Sequence, residues 1–241
     1  MRVENTDDDR DAAASRGGFP LWRDEADGVE VRFVGRGPEL SRDETLAAVE
    51  DEAPPVAALR QVHSARVVEV SAAGSAGEGD ALVSSTPGLA LSVITADCVP
   101  VLLAAGDRLA AVHAGWRGVV AGVVPAAVER LLAPHDDGGV PAGSAVRAWV
   151  GPAIGPCCYE VGPEVAAQVV AASASDVASD GPAGRPHLDM QRAVVAQLTR
   201  AGVVDVRVIG PCTRCHSELL WSYRRDGARA GRNIAFVWRR A

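Results

Sequence analysis

The chain contains no lysine; all 24 of its basic residues are arginine. That absence removes several reaction classes at once. Schiff-base chemistry, pyridoxal-phosphate chemistry and P-loop nucleotide hydrolysis each need a lysine amine at the reacting centre, so none applies. An anion must instead meet arginine forks, backbone N–H groups or a metal. Positive charge is also in deficit overall, with a net charge of −7 and a pI near 5.3. No broad basic field attracts duplex nucleic acid, although a local arginine cluster still suits a phosphate.

Long apolar runs are missing too. None approaches the ~20 residues that cross a bilayer, so no membrane partner is expected. The opening MRVENTDDDRDAAASRGG has neither the basic region nor the apolar region of a secretory signal, and its acidic, small-residue composition reads as a disordered tail over residues 1–18. Cysteine is scarce and odd in number, five in all, in a chain without secretory features. Reduced thiols and a cytoplasmic location are therefore expected, and cysteine here signifies chemistry or packing rather than staples.

What remains is an ordinary globular composition, 48% hydrophobic and 23% charged over 241 residues. VEVRFV (29–34) alternates as a strand, and SRDETLAAVEDE opens a helix with Ser41 and Glu44 at capping-box spacing. VAALRQVH, RVVEV, DALV, LALSVIT, PVLLA and RLAAVHA then follow with turn signals between them and read as strands. Helical spacing returns in WRGVVAGVVPAAVERLLAPH, where Gly122 and Pro125 weaken the pattern, and again in PEVAAQVVAASA and in LDMQRAVVAQLTRAG behind Asp189 as N-cap. VRAWVG, VRVIG and NIAFVWR add strands, and SASDVASDGPAGRP reads as the one internal mobile loop. One α+β domain accounts for the pattern.

Three polar residues stand at the ends of apolar runs: His63, Cys98 and His113. Two imidazoles and a thiolate are a ligand set for a catalytic zinc with an open fourth position. Their spacings, 35 and then 15 positions, are far too long for a local finger motif, and a buried cysteine with two hydrogen-bonded histidines is the competing reading. Asp97 beside Cys98 is either part of such a site or a turn residue. HAGWRG sets two glycines and Arg117 at a helix start, where backbone N–H groups can approach an anion. Cys157–Cys158 and the Cys212–Cys215 C-x-x-C raise a four-thiolate metal site or a redox pair. The sequence disfavours both, because adjacent cysteines do not easily share one tetrahedral ion and the thioredoxin-like flanks are missing. SYRRDGARAGR, with Arg224, Arg225 and Arg232, is the densest arginine segment and reads equally as a phosphate site or a solvated face.

In this order, RQVHSARVV, DALVSSTPGLALSVITADCVPVLL, AAVHAGWRG, GPAIGPCCYEVGPEV and CTRCHSELLWSYRRDG resemble the laccase-domain, or polyphenol-oxidase-like, family from Leu59 to Trp238. The resemblance implies a single catalytic domain over 19–241 with four α/β/β/α layers and mixed sheets. It implies a purine nucleoside phosphorylase acting on adenosine, inosine, guanosine and methylthioadenosine with phosphate, and adenosine deamination as a side activity. It places the metal, zinc or alternatively copper, on His63, Cys98 and His113. Cys98, Asp97 and Arg36 are then the expected catalytic residues, and Gln61, Arg117, Tyr159, Arg224 and Arg225 the expected substrate contacts. The chain departs from the family where RFVGRGPELSRD replaces a Phe-x-x-Arg-x-Gly-Gly segment and its following loop, and where Ser64 replaces a usual glycine.

Two other functions compete. A copper polyphenol oxidase with mononuclear and trinuclear centres needs more imidazoles than the five histidines present, and a lone blue-copper site prefers an axial methionine, of which the chain has only Met1 and Met190. A non-catalytic role in peptidoglycan editing or cell division is the third, and retention of about one zinc per chain discriminates against it.

Overall fold

Strands that are apolar at nearly every position, such as VPVLLAA and RLAAVHA, must be buried on both faces. Two stacked sheets with helices on both outer faces meet that demand. The structure, a computed structural model, describes residues 2–6, 13–134, 145–182 and 184–240. Numbering strands in chain order, one sheet runs β1 (Arg2–Thr6), β15 (Asp205–Ile209), β12 (Arg147–Val150), β10 (Val99–Ala105), β11 (Arg108–Ala114), β8 (Ala81–Ser84) and β6 (Val67–Glu69). The other runs β2 (Ala13–Arg16), β3 (Phe19–Ala26), β4 (Val29–Val34), β16 (Asn233–Arg239), β9 (Ala90–Thr95), β5 (Val56–Arg60) and β7 (Gly74–Glu78). Both mix parallel and antiparallel neighbours.

The period-2 alternation of each strand assigns its residues to layers. In β10, Val99, Val101 and Leu103 join the core beneath α2 (Trp116–Ala121), α3 (Val123–Leu132), α4 (Pro163–Ser173) and α5 (Met190–Arg200), while Leu102 and Ala104 face the other sheet. In β16, Ala235 and Val237 meet them across the sandwich, and Ile234, Phe236 and Trp238 pack outward with Leu46 and Val49 of α1 (Arg42–Val49). Each fully buried leucine here contributes about 1.5–3 kcal/mol. The result is the expected four-layer α/β/β/α domain. Asp24 of β3 also ties the sheets together, accepting from Trp149 Nε1 and Arg207 Nη1, each at 2.6 Å.

The Ser41–Glu44 capping box is present in full, and Asp189 caps α5 through the Arg192 N–H. Three expectations change. The helix expected over 116–135 divides into α2 and α3 at Gly122, whose φ of +85° suits glycine. The segment read as a disordered tail holds β1, which pairs parallel with β15, and β2, which pairs with β3, because the sheet edges offer open ladders. The segment read as a mobile loop forms a hairpin of β13 (Ala178–Asp180) with β14 (Pro186–Leu188).

Candidate active site and metal centre

The β10–β11 hairpin turns through Gly106 and sets Val99 opposite Ala114 and Pro100 opposite His113. Cys98, one residue before β10, therefore emerges beside His113 near the end of β11. His63 arrives from the other sheet, three residues beyond β5, on a turn where its φ is +60°. The ligand atoms of the three lie within 4.8 Å of one another, His63 Nε2 is 4.0 Å from Cys98 Sγ, and the two imidazoles meet edge to face at 83°. Bonds of about 2.0–2.3 Å in a tetrahedral site hold ligands roughly 3.3–3.8 Å apart, so a small contraction closes the set on an ion. Gly115 is part of the cradle, since a Cβ there would stand 2.9 Å from His63 Cδ2 and 3.0 Å from Cys98 Sγ.

A residue that sequence reasoning missed, Asp80, organises this centre. Its fully buried carboxylate accepts the backbone N–H groups of Val62 (3.3 Å), His63 (2.9 Å) and Ser64 (2.6 Å), and the Ser64 hydroxyl (2.7 Å). It also lies 2.8 Å from His113 Nδ1, while its carbonyl accepts the His113 N–H. One carboxylate thus holds the left-handed turn that presents His63 and fixes the imidazole of His113, leaving Nε2 for a metal. Burial raises the Asp80 carboxyl, but His113 and Ser64 bring it well below the usual carboxylate range. Burial lowers the His113 imidazole, but Asp80 and Cys98 raise it to about 9. The Cys98 thiol is raised by burial and lowered further by the two histidines, to about 7.

These shifts predict how a metal held on the three residues would depend on pH. At neutral pH it would displace a proton from His113, and below about pH 7 a second one from Cys98. Protons compete with the metal, so affinity rises with pH, about tenfold per unit between about 7 and about 9 and more steeply below. Chelator competition across that range measures the slope.

Asp97, next to Cys98, has a φ of +91° and both carboxylate oxygens engaged, by the Thr213 hydroxyl and by the Arg224 backbone N–H, each at 2.6 Å. Its contacts are those of a strut. Gln61 behaves similarly: its carboxamide donates to Ile94 O at 2.7 Å and accepts from Ile94 N–H at 2.8 Å, tying the His63 turn to β9. Arg224 reaches over Tyr159, with Cζ 5.1 Å from the ring centroid, and donates to Glu160 O at 2.7 Å. Arg117 stacks on Trp116 at 4.4 Å. Burial pushes the Tyr159 phenol up to about 12, and the charges it feels are those of Cys98, Arg224, Asp97 and Arg117. Five expected residues thus share one neighbourhood.

Two further expected arginines make their contacts within the 213–226 segment. Arg36 stacks on Trp221 at 4.1 Å and donates to Ser217 O at 3.0 Å, so its contacts lie with the 217–221 segment. Arg225 spends all five N–H donors inside the chain, on Thr213 O, Arg214 O, Leu220 O and both oxygens of Asp226. It staples the loop before α6 (Tyr223–Asp226). The expectation that adjacent cysteines would not converge is also overturned. The thiols of Cys157, Cys158, Cys212 and Cys215 lie within 4.8 Å of one another.

The model of the family described as "Multi-copper polyphenol oxidoreductase laccase" matches residues 40–240. The purine nucleoside phosphorylase SCO2081 of Streptomyces coelicolor is 44% identical over 185 residues, covering 75% of this chain and 73% of that protein. The purine nucleoside phosphorylase PA4543 of Pseudomonas aeruginosa is 40% identical over 185 residues, covering 75% and 72%. Among solved structures, the Neisseria meningitidis protein NMB0706 superposes with a TM-score of 0.76 at 27% identity, over 93% of this chain and all of that one. Sequence and fold agree: the chain belongs to the laccase-domain family, among whose curated relatives are proteins named purine nucleoside phosphorylase.

Proposed function

We propose that the protein is a metal-dependent purine nucleoside phosphorylase, converting adenosine, inosine, guanosine or methylthioadenosine and phosphate into free base and a ribose 1-phosphate. The observation that carries this reading is the convergence of His63, Cys98 and His113 beside Tyr159, Arg117 and Arg224 in a chain whose relatives bear that name. Phosphate attacks the anomeric carbon of the ribose as the purine leaves with the bonding electrons. Arg224 and Arg117 supply the guanidinium groups that hold the phosphate against the sugar. Tyr159 keeps its proton at neutral pH and so acts as a hydrogen-bond donor to the substrate. Asp97 and Gln61 are positioning residues, holding Arg224 and the His63 turn. Zinc on the His63, Cys98 and His113 set, when bound, supplies Lewis acidity toward a phosphate or sugar oxygen.

Adenosine deamination is the minor reaction in this reading, because the Asp97 carboxylate that would move its protons is already engaged by Thr213 and Arg224. Copper oxidation draws less support. Among the described residues only His63 and His113 join a ligand group, while His187 Nδ1 faces Pro156 O and His216 Nδ1 faces Cys212 O.

The deciding assay follows adenosine with and without phosphate, separating adenine, inosine and ribose 1-phosphate. Adenine and ribose 1-phosphate in equal amounts, formed only with phosphate, are the expected products. Adenine released at the same rate without phosphate would mark a hydrolase, and inosine as the main product a deaminase.

A further inference from the structure

Away from the His63 centre, two turns bring four sulfurs together. Gly155–Tyr159 closes on itself, with the N–H groups of Cys158 and Tyr159 both donating to Gly155 O at 3.0 Å, so that neighbouring Cys157 and Cys158 both approach Cys215, at 3.6 and 3.4 Å. The second turn, Cys212 to His216, closes by the His216 N–H on Cys212 O at 3.2 Å and hangs from Ala153 O through the Thr213 N–H at 3.0 Å. Gly155 bridges the two by donating its N–H to Cys212 Sγ at 3.2 Å. No disulfide joins any of the five cysteines.

We infer that Cys157, Cys158, Cys212 and Cys215 bind one soft divalent cation, of the zinc class, in a tetrahedral all-thiolate site. Four sulfurs at about 2.3 Å from a zinc are about 3.8 Å apart, close to the separations already present, so the turns need little movement to close on it. The 212–215 pair has the C-x2-C spacing of such sites, and the Gly155 N–H on Cys212 is the donor that a metal thiolate favours. The adjacent pair fits because its turn directs both side chains to one side. Without a cation the thiols ionise unevenly: burial and the Cys215 thiol raise Cys157, Cys158 followed by burial raises Cys215 to about 11, while Cys158 itself is raised by burial but lowered further by Cys215 and Arg214. A divalent ion replaces those protons. Arg214, paired with Cys158, offsets part of the remaining negative charge.

The site would fasten two walls of the catalytic neighbourhood to each other. Cys158 precedes Tyr159, and Thr213, between the C-x-x-C cysteines, holds Asp97 beside Cys98. The inference itself rests on the thiol geometry and not on the phosphorylase reading.

The test compares wild type, His63→Ala/His113→Ala and Cys157→Ser/Cys215→Ser, each purified as the full chain under reducing conditions with zinc. Elemental analysis is expected to find about two zinc per chain in wild type and about one in each variant. Cobalt loaded into His63→Ala/His113→Ala should give the intense thiolate charge-transfer absorption and visible ligand-field bands of tetrahedral all-sulfur coordination. That spectrum decides the matter even if the double serine variant fails to fold. A folded His63→Ala/His113→Ala protein that keeps no zinc and gives a featureless cobalt spectrum would overturn the site. So would a disulfide between Cys215 and either Cys157 or Cys158 in the wild type so prepared.

Discussion

Cys98→Ser is expected to lose the metal held with His63 and His113 and to lower nucleoside turnover on the order of a thousandfold, while the domain still melts cooperatively. A serine hydroxyl stays neutral where the thiolate binds as an anion, so the softest and most strongly bonded ligand of the three is gone. Losing ~4 kcal/mol of charge stabilisation corresponds to that factor in rate. Stability changes little by comparison. Cys98 is only partly buried and stands outside the apolar cores. Metal content, turnover and a thermal melt on the same preparation check all three parts. A Cys98→Ser protein that keeps this metal and its rate would move the chemistry elsewhere.

The second large effect is expected at Asp80, a residue outside the set of three candidate ligands. Asp80→Asn keeps the volume of the side chain but turns an NH2 group toward donors: whichever way the amide lies, it faces either the Ser64 N–H and hydroxyl or the His63 N–H and His113 Nδ1. Breaking such a buried, charged and fully bonded pair costs about 3–5 kcal/mol. For a chain of this size that lowers Tm by about 10 °C. Metal affinity should fall by about 10–100-fold in addition, because the His63 turn loses its anchor and His113 its oriented ring. Measuring the melt of the metal-free protein and the metal affinity of the folded protein at low temperature separates the two losses. An unchanged affinity would reduce Asp80 to a purely structural role. The sign with pH follows from its lowered carboxyl: the stabilisation is fully present above about pH 4 and fades as the carboxylate is protonated below that.

The sequence was legible wherever one local signal sufficed. The nearly continuous apolar runs of β10 and β16, the Ser41–Glu44 box and the Asp189 cap all state their structure within a few residues. His63, Cys98 and His113 could be singled out because each ends an apolar run, but that position suits a buried cysteine and two hydrogen-bonded histidines as well, and only the fold shows that the three converge. Asp80 could not be, since its partners come from positions 16 to 33 residues away and nothing nearby in DALV advertises them. The four thiols were misjudged for a related reason. Adjacency in the chain suggests divergence, and only the turn over Gly155–Tyr159 reverses it. Nor does spacing distinguish Arg224 from Arg225, although Arg224 is exposed over Tyr159 while its neighbour is tied down by the loop.

That last distinction bears on how this sequence can drift. Exposed arginines such as Arg229 are free to become lysine over evolutionary time, because a point charge in water has no geometry to satisfy. Arg225 is not, since an ammonium offers three donors where the loop uses five, spread across a planar fork. Arginine is incidental at the first kind of position and required by geometry at the second.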